Sequence, residues 1–149
     1  MKNILLIEDD PFLIDIYTTK LEEDGFSVEI AEDGNIALEK LKEHNPSSSL
    51  GKSIKDVESS ISKEVSSKSS SSKIWPDVVL LDIVLPNMDG WEILRKIKED
   101  KLFKDLKVII LSNLGQKEEI ERGLKLGATK YIIKAHHTPS EVVDEIKKL

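Results

Sequence analysis

Val78-Val79-Leu80-Leu81-Asp82-Ile83-Val84-Leu85-Pro86-Asn87-Met88-Asp89-Gly90 is the stretch on which the fold turns. Four apolar residues in a row read as a strand covered on both faces, as in a parallel sheet. The run stops on Asp82, and Asp89-Gly90 makes a turn before the next helix. Three other runs end in the same manner. Ile4–Ile7 leads into Glu8-Asp9-Asp10, Val108–Leu111 into Ser112, and Tyr131–Ile133 into Lys134. In an open parallel sheet the strand carboxyl ends form one edge, and ligands bind there. Three carboxylates, a hydroxyl and an ammonium then share one pocket.

Helices separate the strands. Asp10-Pro11 is a strong helix start, because Asp accepts bonds as N-cap and Pro tolerates the first helical position. Leu13, Ile16/Tyr17 and Leu21 recur at helical spacing, and Gly25 closes that helix. Ser27–Ile30 is a short second strand. Gly34–Glu43 is a second helix, expected to turn Ile36, Ala37, Leu38 and Leu41 inward. Gly90–Glu99 carries Ile93, Leu94 and Ile97 as its apolar stripe. A further helix near Gln116–Leu124 closes at Gly127, and Lys130–Ile133 is the fifth strand. Thr138-Pro139 opens a last helix with Val142, Val143 and Ile146 inward. Five alternations of strand and helix predict an α/β fold, a parallel sheet with helices on both sides.

A chain of 149 residues is long enough to bury a real core as one domain. Its net charge of −6 argues against a dedicated nucleic-acid binder, which would show a basic face. There is no cysteine, which excludes disulfides and thiol chemistry. No apolar run suits a signal peptide or a membrane span, so no membrane partner and a cytoplasmic location are expected.

Hard cations such as Mg²⁺ prefer oxygen ligands, and Glu8, Asp9 and Asp82 could supply them. Such an ion offsets the mutual repulsion of the acids and the charge of a phosphoryl group arriving at an Asp oxygen. Lys134 adds a positive point charge for a phosphate oxygen, and the Ser112 hydroxyl can donate to another. His136-His137 has no further positioned ligand and reads as a solvated loop, and His44 as a lone surface residue.

Glu8-Asp9-Asp10, then Leu81 through Gly90, then Ser112, then Tyr131 with Lys134, resemble the receiver domain of two-component response regulators. The resemblance covers nearly the whole chain outside a stretch of roughly thirty residues, longer than an ordinary connection needs. It implies a flavodoxin-like (βα)5 fold with a doubly wound five-stranded parallel sheet. It also implies that Asp82 accepts phosphate from a sensor histidine kinase, a phosphotransfer protein or a small acyl phosphate, with Mg²⁺ as cofactor. By position, Asp9 would ligate Mg²⁺ directly and Glu8 through a water. Asp82 would be nucleophile and ligand, and the Val84 carbonyl a backbone ligand. Ser112 would be the switch hydroxyl, Lys134 the phosphate counter-ion and Tyr131 the switch aromatic. Asp10 reads mainly as a helix cap.

The sequence departs from the family pattern in four respects. Ala135 stands where the family has a cis-joined proline. A cis bond costs about 2.5–4 kcal/mol before a non-proline residue, against about 0.5–1 before proline, so a trans Lys134–Ala135 bond or a strained loop is expected. Asn113 follows Ser112 where a small residue is usual, which narrows access to Asp82. Val84 and Leu114 flank the site and cannot orient a water, so phosphate should leave Asp82 slowly.

The fourth departure is an insertion from about Asn45 to Ile74, between the second helix and the third strand. Its thirteen serines read as a linker. Leu50, Ile54, Val57, Ile61 and Val65 nevertheless step at helical spacing, which predicts an amphipathic helix over roughly residues 50–66 with Ser69–Ser72 as a flexible return. Its apolar stripe suits either the domain itself or a second copy of the chain, as in a homodimer.

The expectation is a stand-alone receiver spanning residues 1–149, not an enzyme but a phosphoacceptor that assists its own transfer and dephosphorylation. Its output would pass to a protein partner through the last two helices and last strand. The alternatives are a phosphate-independent scaffold and, less favoured, a Mg²⁺-dependent aspartyl-phosphate phosphatase, which needs a second Asp where Val84 stands. A flavodoxin-type carrier would need a Ser, Thr or Gly-rich first loop, where Glu8-Asp9-Asp10 would repel phosphate.

Overall fold

The computed structural model describes residues 2–50 and 73–149. Among them are strands β1 (Asn3–Ile7), β2 (Ser27–Ala31), β3 (Val78–Leu81), β4 (Lys107–Ser112) and β5 (Lys130–Ile133). The helices are α1 (Pro11–Glu23), α2 (Gly34–His44), α3 (Gly90–Glu99), α4 (Lys117–Lys125) and α5 (Pro139–Lys147). Short 3-10 turns occupy Lys101–Phe103 and Lys134–His136. The strands form one parallel sheet in the order β2-β1-β3-β4-β5, the flavodoxin-like arrangement.

Each central strand is an apolar run because it is covered twice. Leu5, Ile7, Val79, Leu81, Val108 and Ile110 point to the face packed by α2 and α3. Ile4, Leu6, Val78, Leu80, Ile109 and Leu111 point to the opposite face, under α1 and α5. The expected inward residues of α3 and α5 are all buried. No helix among the described residues is long and apolar enough to cross a membrane.

Register sets which chain ends meet. Ile7 pairs with Leu81, Leu81 with Ile110, and Ile110 with Tyr131. Glu8 and Asp82 therefore leave neighbouring strands side by side, at the point where strand order reverses. Such a reversal opens the crevice in which this architecture binds ligands.

Caps fix where the helices begin. Asp10 Oδ1 accepts from the amides of Phe12 (2.9 Å) and Leu13 (3.4 Å), and so caps α1 as its sequence implied. Asp89 Oδ1 accepts from Glu92 N at 2.9 Å and caps α3.

The structure corrects two expectations. Ile36 is 37% exposed, because the buried positions of α2 are Gly34, Ala37, Leu38 and Leu41, and residue 36 lies off that stripe. His44 is not a lone surface group. Its ring stacks on Trp75 with centroids 3.8 Å apart, and its Nε2 lies 2.7 Å from Glu29 Oε2. That arrangement joins α2, β2 and the approach to β3, which no local pattern announces.

The serine-rich stretch is packed at both described ends. Asn45 Nδ2 donates to the carbonyls of Leu41 (2.8 Å) and Trp75 (2.6 Å), and its Oδ1 accepts from Trp75 N at 3.1 Å. Ser48 Oγ and Ser49 N donate to Asp100 Oδ2 at 2.8 and 2.9 Å. Leu50 is buried. The helix expected over roughly residues 50–66 and the return at Ser69–Ser72 otherwise lie outside the described residues. Lys134–Ala135 is trans and enters a 3-10 turn directly.

Candidate functional site

Glu8 follows β1 with its amide still bonded to Ala31 O at 3.0 Å, which holds it at the sheet edge. It is only 2% exposed. Its Oε2 accepts from the amides of Asp9 (3.0 Å) and Asp10 (3.4 Å), so the acidic loop folds back on its own first carboxylate. Asp82 is 7% exposed and follows β3, its amide donating to Ile7 O at 3.0 Å. Its Oδ1 accepts from Val84 N at 3.2 Å. Asp9 itself is exposed at the mouth of the site.

Lys134 closes the far side. Its ammonium lies 3.1 Å from Asp82 Oδ2 and also donates to Glu8 Oε1, and its side chain is 10% exposed. Residues from the ends of β1, β3 and β5 are thus joined through one buried cation. Burial, together with the neighbouring Asp82 charge, pushes the Glu8 carboxyl up against the pull of Lys134. Burial alone would lower the Lys134 ammonium, but its bond to Glu8 and the charge of Asp82 outweigh that and raise it.

Oxygen atoms of Glu8, Asp9 and Asp82 lie within 4.8 Å of one another. An all-oxygen set of this size suits a hard divalent cation, and sulfur and imidazole have no part in it. Three carboxylates facing one ammonium also leave a charge imbalance that such a cation corrects.

Ser112 and Tyr131 meet a short distance away, on the backbone of one residue. Ser112 Oγ, fully buried, accepts from Leu114 N at 3.2 Å. The Tyr131 hydroxyl donates to Leu114 O. Its ring already lies half-buried against the core, and burial raises its phenol. Val84 places its amide on Asp82 and its side chain in solvent. His136 is exposed and ends the 3-10 turn, whereas His137 is half-buried with its Nδ1 3.2 Å from Ile133 O, so the pair is not the wholly solvated loop expected.

Two residues of the site escaped the reading of the sequence. A Cβ on Gly90 would lie 2.5 Å from the Asp82 carbonyl oxygen and 2.6 Å from Ile83 Cα. The Asp-Gly pair is a turn whose glycine also lets α3 seat against the end of β3, beside Asp82. Tyr17, read only as part of the α1 stripe, is buried near enough to feel the site. Burial raises its phenol, Lys134 opposes the shift, and Glu8 and Asp82 reinforce it. The available signal was a hydroxyl on an otherwise apolar inward stripe.

A family model described as the response regulator receiver domain matches residues 52–147. The chain is 30% identical over 145 residues to the chemotaxis protein CheY of Halobacterium salinarum, covering 97% of this chain and 93% of that one. It is 29% identical over 146 residues to the phosphate regulon transcriptional regulatory protein PhoB of Escherichia coli. That match takes in 98% of this chain but half the length of the regulator. Among solved structures, the CheX-CheY-BeF3-Mg+2 complex from Borrelia burgdorferi superposes with a TM-score of 0.73 at 26% identity, over 99% of this chain and 87% of that chain. The parallel sheet, its acidic crevice and these relatives agree: the chain belongs to the response regulator receiver domain family.

Proposed function

We propose that this receiver accepts a phosphoryl group on Asp82 from a histidine kinase or phosphotransfer protein and relays that event to a protein partner. The observation that carries the reading is the Asp82 carboxylate, buried beside the Lys134 ammonium at 3.1 Å and grouped with Glu8 and Asp9. Receiver domains bind Mg²⁺ at an acidic pocket, and these three residues form such a group. Asp9 and Asp82 would hold the ion directly, Glu8 through a water, and the Val84 carbonyl from the backbone. When bound, the ion offsets negative charge on the incoming phosphoryl oxygens.

The chain's own residues do the rest. An Asp82 carboxylate oxygen forms the new bond to phosphorus while the donor's phosphorus–nitrogen bond breaks and its electron pair returns to the imidazole. Lys134 holds a phosphoryl oxygen in place of Glu8. Ser112 gives a hydroxyl hydrogen bond to another, and Tyr131 and Ser112 act together through the two peptides that flank Leu114. The face formed by α4, β5 and α5 then moves between two populated arrangements that the partner distinguishes. We read residues 1–149 as one receiver interrupted by the insertion at about 45–74.

Incubation with acetyl phosphate tests this by intact mass. One phosphoryl group per chain is expected with Mg²⁺ present, and none with a chelator. No gain under either condition would favour the phosphate-independent scaffold.

A further inference from the structure

Helix α4 seats itself with a residue that has no side chain. Of its nine residues, Gly123 is the buried one. It lies in the helix interior, where glycine is the least favoured residue after proline. Its backbone does not explain it, because positive φ occurs at Gly25 and Gly127 and not at 123. Space does. A Cβ at 123 would lie 2.5 Å from Ile110 Cδ1, and 3.0 and 3.3 Å from Cδ2 and Cε2 of the Tyr131 ring. The ring therefore rests directly beneath the backbone of α4 while its hydroxyl reaches Leu114 O.

The two neighbours differ in where they could go. Ile110 is fully buried on β4, enclosed by the core. Tyr131 is half-buried, on the outer strand of the sheet, with solvent on one side. A planar ring cannot bend, so it yields by rotating about χ1 as a unit.

We propose that Gly123 is the positioning residue of Tyr131: the space it leaves under α4 is the socket of the ring, and a side chain longer than a methyl there turns Tyr131 out to solvent. The signalling consequence rests on the switching role proposed above for Tyr131, whereas the socket stands on the geometry of α4, β4 and β5. A substitution at 123 then alters the presented face without touching Asp82.

The chain has two tyrosines, and Tyr17 is buried, so fluorine NMR of the full chain labelled with 3-fluorotyrosine carries its own control. No phosphodonor is added, which keeps the outcome separate from whether Asp82 takes phosphate. In Gly123→Leu, the change in the Tyr131 signal between H₂O and D₂O should rise to that of free fluorotyrosine while Tyr17 stays as in wild type. Ile110→Val/Gly123→Leu, which removes the closest atom, should fold and still show Tyr131 released. Wild-type values for Tyr131 in either variant would overturn the proposal. So would loss of the fold in both, which would make 123 a site of packing alone.

Discussion

The Lys134 ammonium lies 3.1 Å from Asp82 Oδ2, tying the end of β5 to the end of β3 across 52 residues of sequence. The same ammonium also meets Glu8, so two buried carboxylates depend on one cation. Removing it should leave them repelling each other out of reach of water. Lys134→Ala is expected to lose about 3 kcal/mol of stability in urea unfolding at neutral pH with chelator present. Lys134→Ala/Glu8→Gln should recover part of that loss, because the two changes share a partner. Strict additivity would show that the cluster is not coupled.

Asp100 should make stability depend on acid. Burial disfavours its charge, but bonds from Leu102 N, Ser48 Oγ, Ser49 N and Ser49 Oγ outweigh that and hold the carboxyl below the ordinary 3.8. A depressed carboxyl contributes fully above its unfolded value, and the contribution disappears as pH falls through the lower folded value. Asp100→Asn should therefore cost about 1–2 kcal/mol at neutral pH. The difference from wild type should shrink below pH 3.8, as read from urea midpoints across that range. A gap independent of pH would rule out this origin.

Gly90→Ala should disturb the site from beneath. Its Cβ would meet backbone atoms of Asp82 and Ile83, which cannot rotate away as a side-chain tip can. We expect a loss of about 2 kcal/mol, the scale of overpacking in a core. Phosphorylation by acetyl phosphate should slow as well. Full stability and full rate together would refute the close approach.

Phosphate should leave Asp82 slowly, because exposed Val84 and half-buried Leu114 offer no group to orient a water. The phosphorylated chain, freed of acetyl phosphate, should persist for minutes or longer by intact mass. Val84→Asn and Leu114→Glu should each shorten that time. A lifetime of seconds that neither change alters would contradict the expectation.

The parts of this molecule legible in its sequence are those fixed by local chemistry. Ile4–Ile7, Val78–Leu81 and Val108–Leu111 are apolar throughout because cores lie on both sides of them, and the residues that end them fall at one edge by register. Asp10 announces its cap because an N-cap is a property of adjacent residues. Contacts that cross the serine-rich stretch gave no such signal. Asn45 and His44 meet Trp75 some thirty residues on, and Ser48 and Ser49 spend their donors on Asp100 rather than on water. The place of Tyr131 under Gly123 was equally silent, since an absent side chain declares its purpose only once its neighbours are known.

Asp82 itself is proposed to carry the phosphoryl group. Acetyl phosphate and Mg²⁺ should raise the intact mass of the wild-type chain by one phosphoryl group and leave that of Asp82→Ala unchanged. An equal mass gain in both proteins would contradict the account.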